Sequence, residues 1–201
     1  MAGVGQKSMY LLGGACNAYP HVTLAGGQRS QFNVYLDKIM ATLTEKIGDN
    51  LQKVRSSAEE AFLAVAGHPQ FGVKLCVAAL SNDNAAPPKA KGRKPVLSSK
   101  ALIAKYQILH KMLVNFSFDR DLQITTVKYA VKGINNTSND VRLPAYDCMG
   151  ELYRIMGGDE ISRYYEGLKQ AQLDVLMAKF SEIDDGGVPT KQPKKQAAPP
   201  K

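Results

Sequence analysis

The chain has 201 residues, 44% of them apolar, and a formal net charge of +8. That length suits one domain with a substantial core, and no apolar run approaches the roughly 18 residues that a membrane-spanning helix needs. Three cysteines, Cys16, Cys76 and Cys148, lie far apart among apolar neighbours, so they read as buried thiols of a reducing compartment, not as disulfides or metal ligands.

Residues 6–19 (QKSMYLLGGACNAY) form a weak helical pattern interrupted by Gly13-Gly14 and ended by Pro20. Residues 28–47 form a better one, with Phe32, Tyr35, Leu36, Ile39, Met40, Leu43 and Ile47 on one stripe. A turn at 48–53 leads into a helix from about 54 to 66, broken by Gly67-His68-Pro69, and a short apolar helix covers roughly 70–80. The stretch from Ser81 to Val96 carries Pro87, Pro88, Gly92 and Pro95, and is expected to be a flexible basic loop over 81–97.

Ser98 or Ser99 can cap a helix over 99–116, whose stripe is Leu102, Tyr106, Leu109, Leu113 and Phe116. After the loop at Phe118–Asp121, a helix over 122–134 aligns Ile124, Val127, Val131 and Ile134. The helix over 141–156 stops at Gly157-Gly158. Asp159 can cap a short helix holding Ile161, Tyr164, Tyr165 and Leu168, and a last helix carries Leu173, Leu176, Met177, Phe180 and Ile183. Residues 1–185 then make one domain, and 186–201 a disordered basic tail.

One stretch occurs twice. IGDNLQKVRSSAEE at 47–60 and INNTSNDVRLPAYD at 134–147 align without a gap at an offset of 87, which pairs Val54-Arg55 with Val141-Arg142 and Ala58 with Ala145. In each copy an apolar helix ends, polar turn residues follow, and Asp, Asn or Ser can cap a second helix. The offset is about twice the 40–47-residue period of HEAT or armadillo repeats. The helices pair as 28–47 with 54–66, 70–80 with 99–116, and 122–134 with 141–156, so the expected fold is all-α, a short α-solenoid of paired antiparallel helices. The first helical pattern has no partner before it, and the chain is expected to begin inside a repeat.

The positive charge is concentrated. Residues 89–100 carry five unopposed cations and 191–201 four more, leaving the remainder close to neutral. Such segments suit an acidic polymer, whether nucleic acid, anionic lipid or an acidic protein surface, or they are linkers kept soluble by lysine. Catalytic signatures are missing: GxxxxGK[ST], GxGxxG, HExxH and GxSxG do not occur, and His21, His68 and His110 are isolated. Neither an enzyme nor a cofactor is expected. Binding remains, and paired helices bring the turns within each pair to one edge. Asn50, Gln52, Lys53 and Arg55 fall there, with Asn136, Ser138, Asn139 and Arg142, and the middle turn contributes Lys89, Lys91, Arg93 and Lys94. Arg55 and Arg142 each follow immediately on a buried Val, so for these two the reading that they hold their own helix pairs together outweighs contact with a partner.

The stretches LDKIMATLTEKIGDNLQKVRSSAEEAFLAVA, ALIAKYQILHKMLVNF, ITTVKYAVKGINNTSNDVRLPAYDCMGELY and DVLMAKFSEIDDG, the last with Phe180, Ile183 and Asp184, resemble the TOG domain of the 104-kilodalton centrosomal and ciliary-tip protein family. The resemblance covers most of residues 6–185. It implies a TOG-type HEAT-repeat array lacking its first repeats, which binds αβ-tubulin or microtubule ends through intra-repeat loops, with other ciliary or centrosomal proteins as further partners. It further implies a place on the cytoskeleton, in the cilium or at the centrosome. The residues it carries over are Asn50, Lys53 and Arg55, then Asn139 and Arg142. The chain contains no Trp, whereas the first-repeat loop of typical TOG domains supplies one. A HEAT-type protein-interaction scaffold without tubulin binding is the alternative, and nonspecific nucleic-acid binding through the lysine segments ranks behind both.

Overall fold

The computed structural model describes residues 26–68, 72–83 and 97–186, with the side chains of the first helix from Leu36 onward. All regular structure among them is helical. The helices are α1 (Gly26–Lys46), α2 (Gln52–Ala66), α3 (Gly72–Ser81), α4 (Ser99–Asn115), α5 (Arg120–Ile134), α6 (Asn139–Met156), α7 (Gly158–Tyr165) and α8 (Gln170–Asp184). The expected helix at 6–19, most of the basic loop and the tail lie outside the described residues.

The order of packing follows from the pairing. Odd-numbered helices touch in succession, α1 on α3, α3 on α5 and α5 on α7, and even-numbered ones do the same, α2 on α4, α4 on α6 and α6 on α8. Two layers of helices thus stack along one axis as a short all-α solenoid. The stripes expected from the sequence supply the seam between layers: Met40 and Leu43 of α1 with Ile47 just past its end, Ala58, Phe62 and Val65 of α2, and Val141, Ala145, Met149 and Leu152 of α6 are buried. A fully buried Phe62 or Leu152 contributes about 1.5–3 kcal/mol through the water-exposed area it removes. Cys76 and Cys148 are buried thiols as expected, donating toward the carbonyls of Phe62 and Tyr106.

Helix α5 meets α4 and α6 closely at Gly133. A Cβ built there would lie 2.4 Å from Tyr106 Cζ and 2.7 Å from Ala145 Cβ, so a hydrogen at this position lets α4, α5 and α6 meet. Tyr106 then stacks on Tyr129 at a ring separation of 4.9 Å and donates its hydroxyl to the Tyr129 carbonyl at 3.0 Å.

Several boundaries differ from the periodicity. Both helices of the duplicated motif begin two residues before the valine that marks their buried face, at Gln52 and Asn139. Their N-cap residues, Leu51 and Ser138, accept no side-chain bond, so the expected capping by Asp, Asn or Ser takes another form described below. Ser98 and Asp119 do cap α4 and α5, accepting from the backbone N–H of Ala101 and Leu122. Gly157, at φ +83°, closes α6 and opens α7 at once, a conformation only glycine adopts without strain. Asp159 is therefore inside the first turn of α7 instead of capping it, and Leu168 is buried in the turn after α7. Met177 is 40% exposed, because α8 closes the described stack and meets α6 on one side.

Candidate functional site

The described turns inside the helix pairs occupy one edge of the solenoid. Lys100, in the first turn of α4, reaches Asn50 Oδ1 in the α1–α2 turn at 3.5 Å. A Cβ on Gly48 would come within 2.8 Å of Ala101 Cβ, so this glycine lets the turn sit directly on the start of α4. Farther along, Gln172 of α8 donates to the carbonyl of Ile134, where the α5–α6 turn begins, at 2.7 Å. Neighbouring turns are thus tied to one another by polar contacts.

The duplicated motif builds the first and third of these turns alike. Asp49 Oδ1 accepts the Leu51 N–H at 2.9 Å, and Asn136 Oδ1 accepts the Ser138 N–H at 2.9 Å. The Asx residue stands two positions before the N-cap in each copy, and these turns replace the expected side-chain cap. The arginine one turn into each helix then folds back. Arg55 donates Nη1 to the carbonyls of Asp49 at 2.7 Å and Asn50 at 3.0 Å, and Nη2 to Gln52 Oε1. Arg142 donates Nη1 to the carbonyls of Asn136 at 3.0 Å and Thr137 at 3.1 Å, and Nη2 to Asn139 Oδ1 at 3.2 Å. The planar guanidinium reaches two carbonyls and one amide at once, which a lysine cannot.

The residues singled out from the sequence therefore differ in what they present. Asn50, Lys53 and Asn139 are exposed on the edge, while Arg55 and Arg142 are half-buried and engaged with their own turns. Lys89, Lys91, Arg93 and Lys94 lie outside the described residues. Two exposed lysines on the same edge escaped the motif comparison: Lys100 beside Asn50, and Lys169 at the start of α8. The signal for both was their place immediately before or within the first turn of the second helix of a pair.

Along the even-numbered layer, a cleft of about 290 Å³ opens between α2 and α4, lined by Ile47, Gln52, Arg55, Lys100, Ile103 and Gln107 among others. Lys111 and Glu59 bridge the same two helices. His110 Nε2 lies 3.7 Å from Glu151 between α4 and α6. No cluster of metal-ligating side chains occurs among the described residues, and no described helix is long and apolar enough to cross a membrane.

No known family description matches the chain, and no curated protein matches it in sequence. Comparison of folds does find relatives. One solved chain, from work on how TOG–tubulin binding specificity promotes microtubule dynamics and mitotic spindle formation, matches with a TM-score of 0.63 at 16% identity. The match covers 88% of this chain and 60% of that one, so the protein spans somewhat under two thirds of that structural neighbour. The fold is that of a HEAT-like, all-α solenoid of TOG type.

Proposed function

We propose that the protein is a tubulin-binding module that engages αβ-tubulin or microtubule ends through the edge formed by its intra-pair turns. The observation that carries this reading is the joining of a TOG-like solenoid with exposed Lys53, Lys100 and Lys169 on that one edge. Tubulin presents an acidic surface, so cationic side chains at the rim steer the encounter and favour the complex at low ionic strength. Asn50 and Asn139 add side-chain amides able to donate and accept across the contact. In this reading the module acts by binding, not catalysis, and works on the cytoskeleton, and the resemblance to the 104-kilodalton family supports a role at the ciliary tip or the centrosome.

Arg55 and Arg142 have a different part in this reading. They shape the turns that present the other residues, since their donors are already committed to backbone carbonyls. The same observation favours a second reading, a HEAT-type scaffold that holds another protein on its helical face. Co-migration of the full chain with soluble αβ-tubulin on a sizing column, at low and at moderate salt, separates the two. A tubulin complex that weakens as salt rises supports the module, and no complex at low salt supports the scaffold.

A further inference from the structure

Lys105 of α4 is fully buried, an unusual position for a lysine. Its Nζ donates to the carbonyl of Asn82 at 3.1 Å and to Asp83 Oδ1 at 3.3 Å. Asp83, two residues beyond the end of α3, also accepts from the Tyr129 hydroxyl at 3.2 Å and from Lys132, both on α5. One carboxylate thus ties the end of α3 to the side of α4 and the last two turns of α5. Burial pulls the Lys105 ammonium below its ordinary value while Asp83 opposes that change. Asp83 stays below the usual carboxylate range, its bonds to Lys132 and Lys105 outweighing the burial that works against it.

A buried ion pair is a poor source of net stability, because an apolar residue of similar volume removes the desolvation cost altogether. What it does supply is a fixed geometry with few acceptable alternatives. We propose that Asp83 and Lys105 are positioning residues that set the second helix pair against the third at the turn edge, fixing the spacing between the cationic groups of neighbouring turns. The role in tubulin binding rests on the function proposed above; the mechanical role does not. Lys132, whose side chain is 65% exposed, is drawn into the same knot and held at the edge by it.

The experiment compares wild type, Lys105→Met and Asp83→Asn/Lys105→Met in the full chain by thermal unfolding, amide hydrogen exchange and affinity for soluble αβ-tubulin. The double variant removes the buried charge together with its partner, so its melting temperature is expected to stay close to wild type. Exchange at the amides of Ser81–Asp83 is expected to quicken about tenfold or more as the end of α3 is released. The tubulin dissociation constant is expected to rise about tenfold, as for coupled neighbours whose geometry is lost. Unchanged exchange overturns the positioning role whatever the tubulin result, and faster exchange with unchanged affinity overturns its bearing on the edge. If wild type itself binds no tubulin, the function proposed above fails, and the exchange comparison alone upholds or overturns the positioning role. If the double variant melts well below wild type, Lys105→Met, which leaves Asp83 its bonds to Tyr129 and Lys132, carries the same readouts. A smaller change in the same direction then supports the proposal, and none overturns it.

Discussion

Arg55 and Arg142 stand 87 residues apart and make the same set of bonds, two from Nη1 to successive turn carbonyls and one from Nη2 to the side-chain amide three residues earlier. The shared letters of the two copies thus encode a shared turn, in which the arginine satisfies carbonyls of the turn itself, beyond the ends of α1 and α5. Charge-assisted bonds of this kind are worth more than neutral ones.

From this follows the first prediction. Arg142→Ala lowers the unfolding free energy by about 1–3 kcal/mol, the range for bonds to a charged donor, and Arg142→Lys recovers little of it because one ammonium cannot span both carbonyls and the amide. Urea unfolding of the two variants beside wild type checks this. A lysine variant as stable as wild type would show that charge, not the fork, holds the turn.

Gly133 offers a steric test. Gly133→Ala places a methyl where Tyr106 and Ala145 already converge, so α5 must move away from α4 and α6. The expected cost is about 1–3 kcal/mol, typical of an overpacked core, partly offset by the better helix propensity of alanine. A melting temperature equal to wild type would mean that the three helices have slack at their crossing.

Thr126 is fully buried on α5, and its hydroxyl has no hydrogen-bond partner among the described residues. Replacing it by Val keeps the shape and removes the unsatisfied group, so Thr126→Val is expected to stabilise the fold by about 1 kcal/mol. For a chain of this size that is a rise of about 2–4 °C in the thermal midpoint. Destabilisation would reveal a bond that the hydroxyl makes in solution.

Stability is expected to fall in alkali. Burial, with Asp83 adding to it, raises the Tyr106 and Tyr129 hydroxyls above their ordinary value of 10.0. The unfolded chain releases these protons near the ordinary value while the folded one keeps them, so the unfolded state binds fewer protons and stability declines with rising pH. The contribution is complete below about pH 10 and is lost as pH climbs from there toward the folded values. Urea midpoints between about pH 8 and pH 11 check the sign; a midpoint that holds level or rises across that range would contradict it.

Much of the fold was legible before any coordinates. The 3.6-residue stripes located the eight helices of the described residues, and the offset of 87 identified a repeated turn. Boundaries were less legible, because helices α2 and α6 start with polar residues, Gln52 and Asn139, that carry no periodic signal. Lys105 was invisible for a related reason. It lies beside Tyr106 in a helix whose apolar stripe is otherwise clear, and its half-buried partner Asp83 stands 22 residues earlier, just past the end of α3, so no local pattern announces it. The edge lysines Lys100 and Lys169 required the stacking order to bring their turns beside those of the duplicated motif.

The most direct test of the account is the affinity of the full chain for soluble αβ-tubulin, measured for wild type and Lys53→Glu/Lys100→Glu at low salt, with thermal unfolding of both proteins alongside. Both lysines are exposed, and the one turn contact either makes, Lys100 to Asn50, is an exposed 3.5 Å bond, so the melting temperatures should agree closely. The account predicts a wild-type complex that weakens with salt, and a loss of about tenfold or more in the variant from two reversed charges at the contact. Equal affinity in the two proteins, or no wild-type complex at low salt, would contradict it.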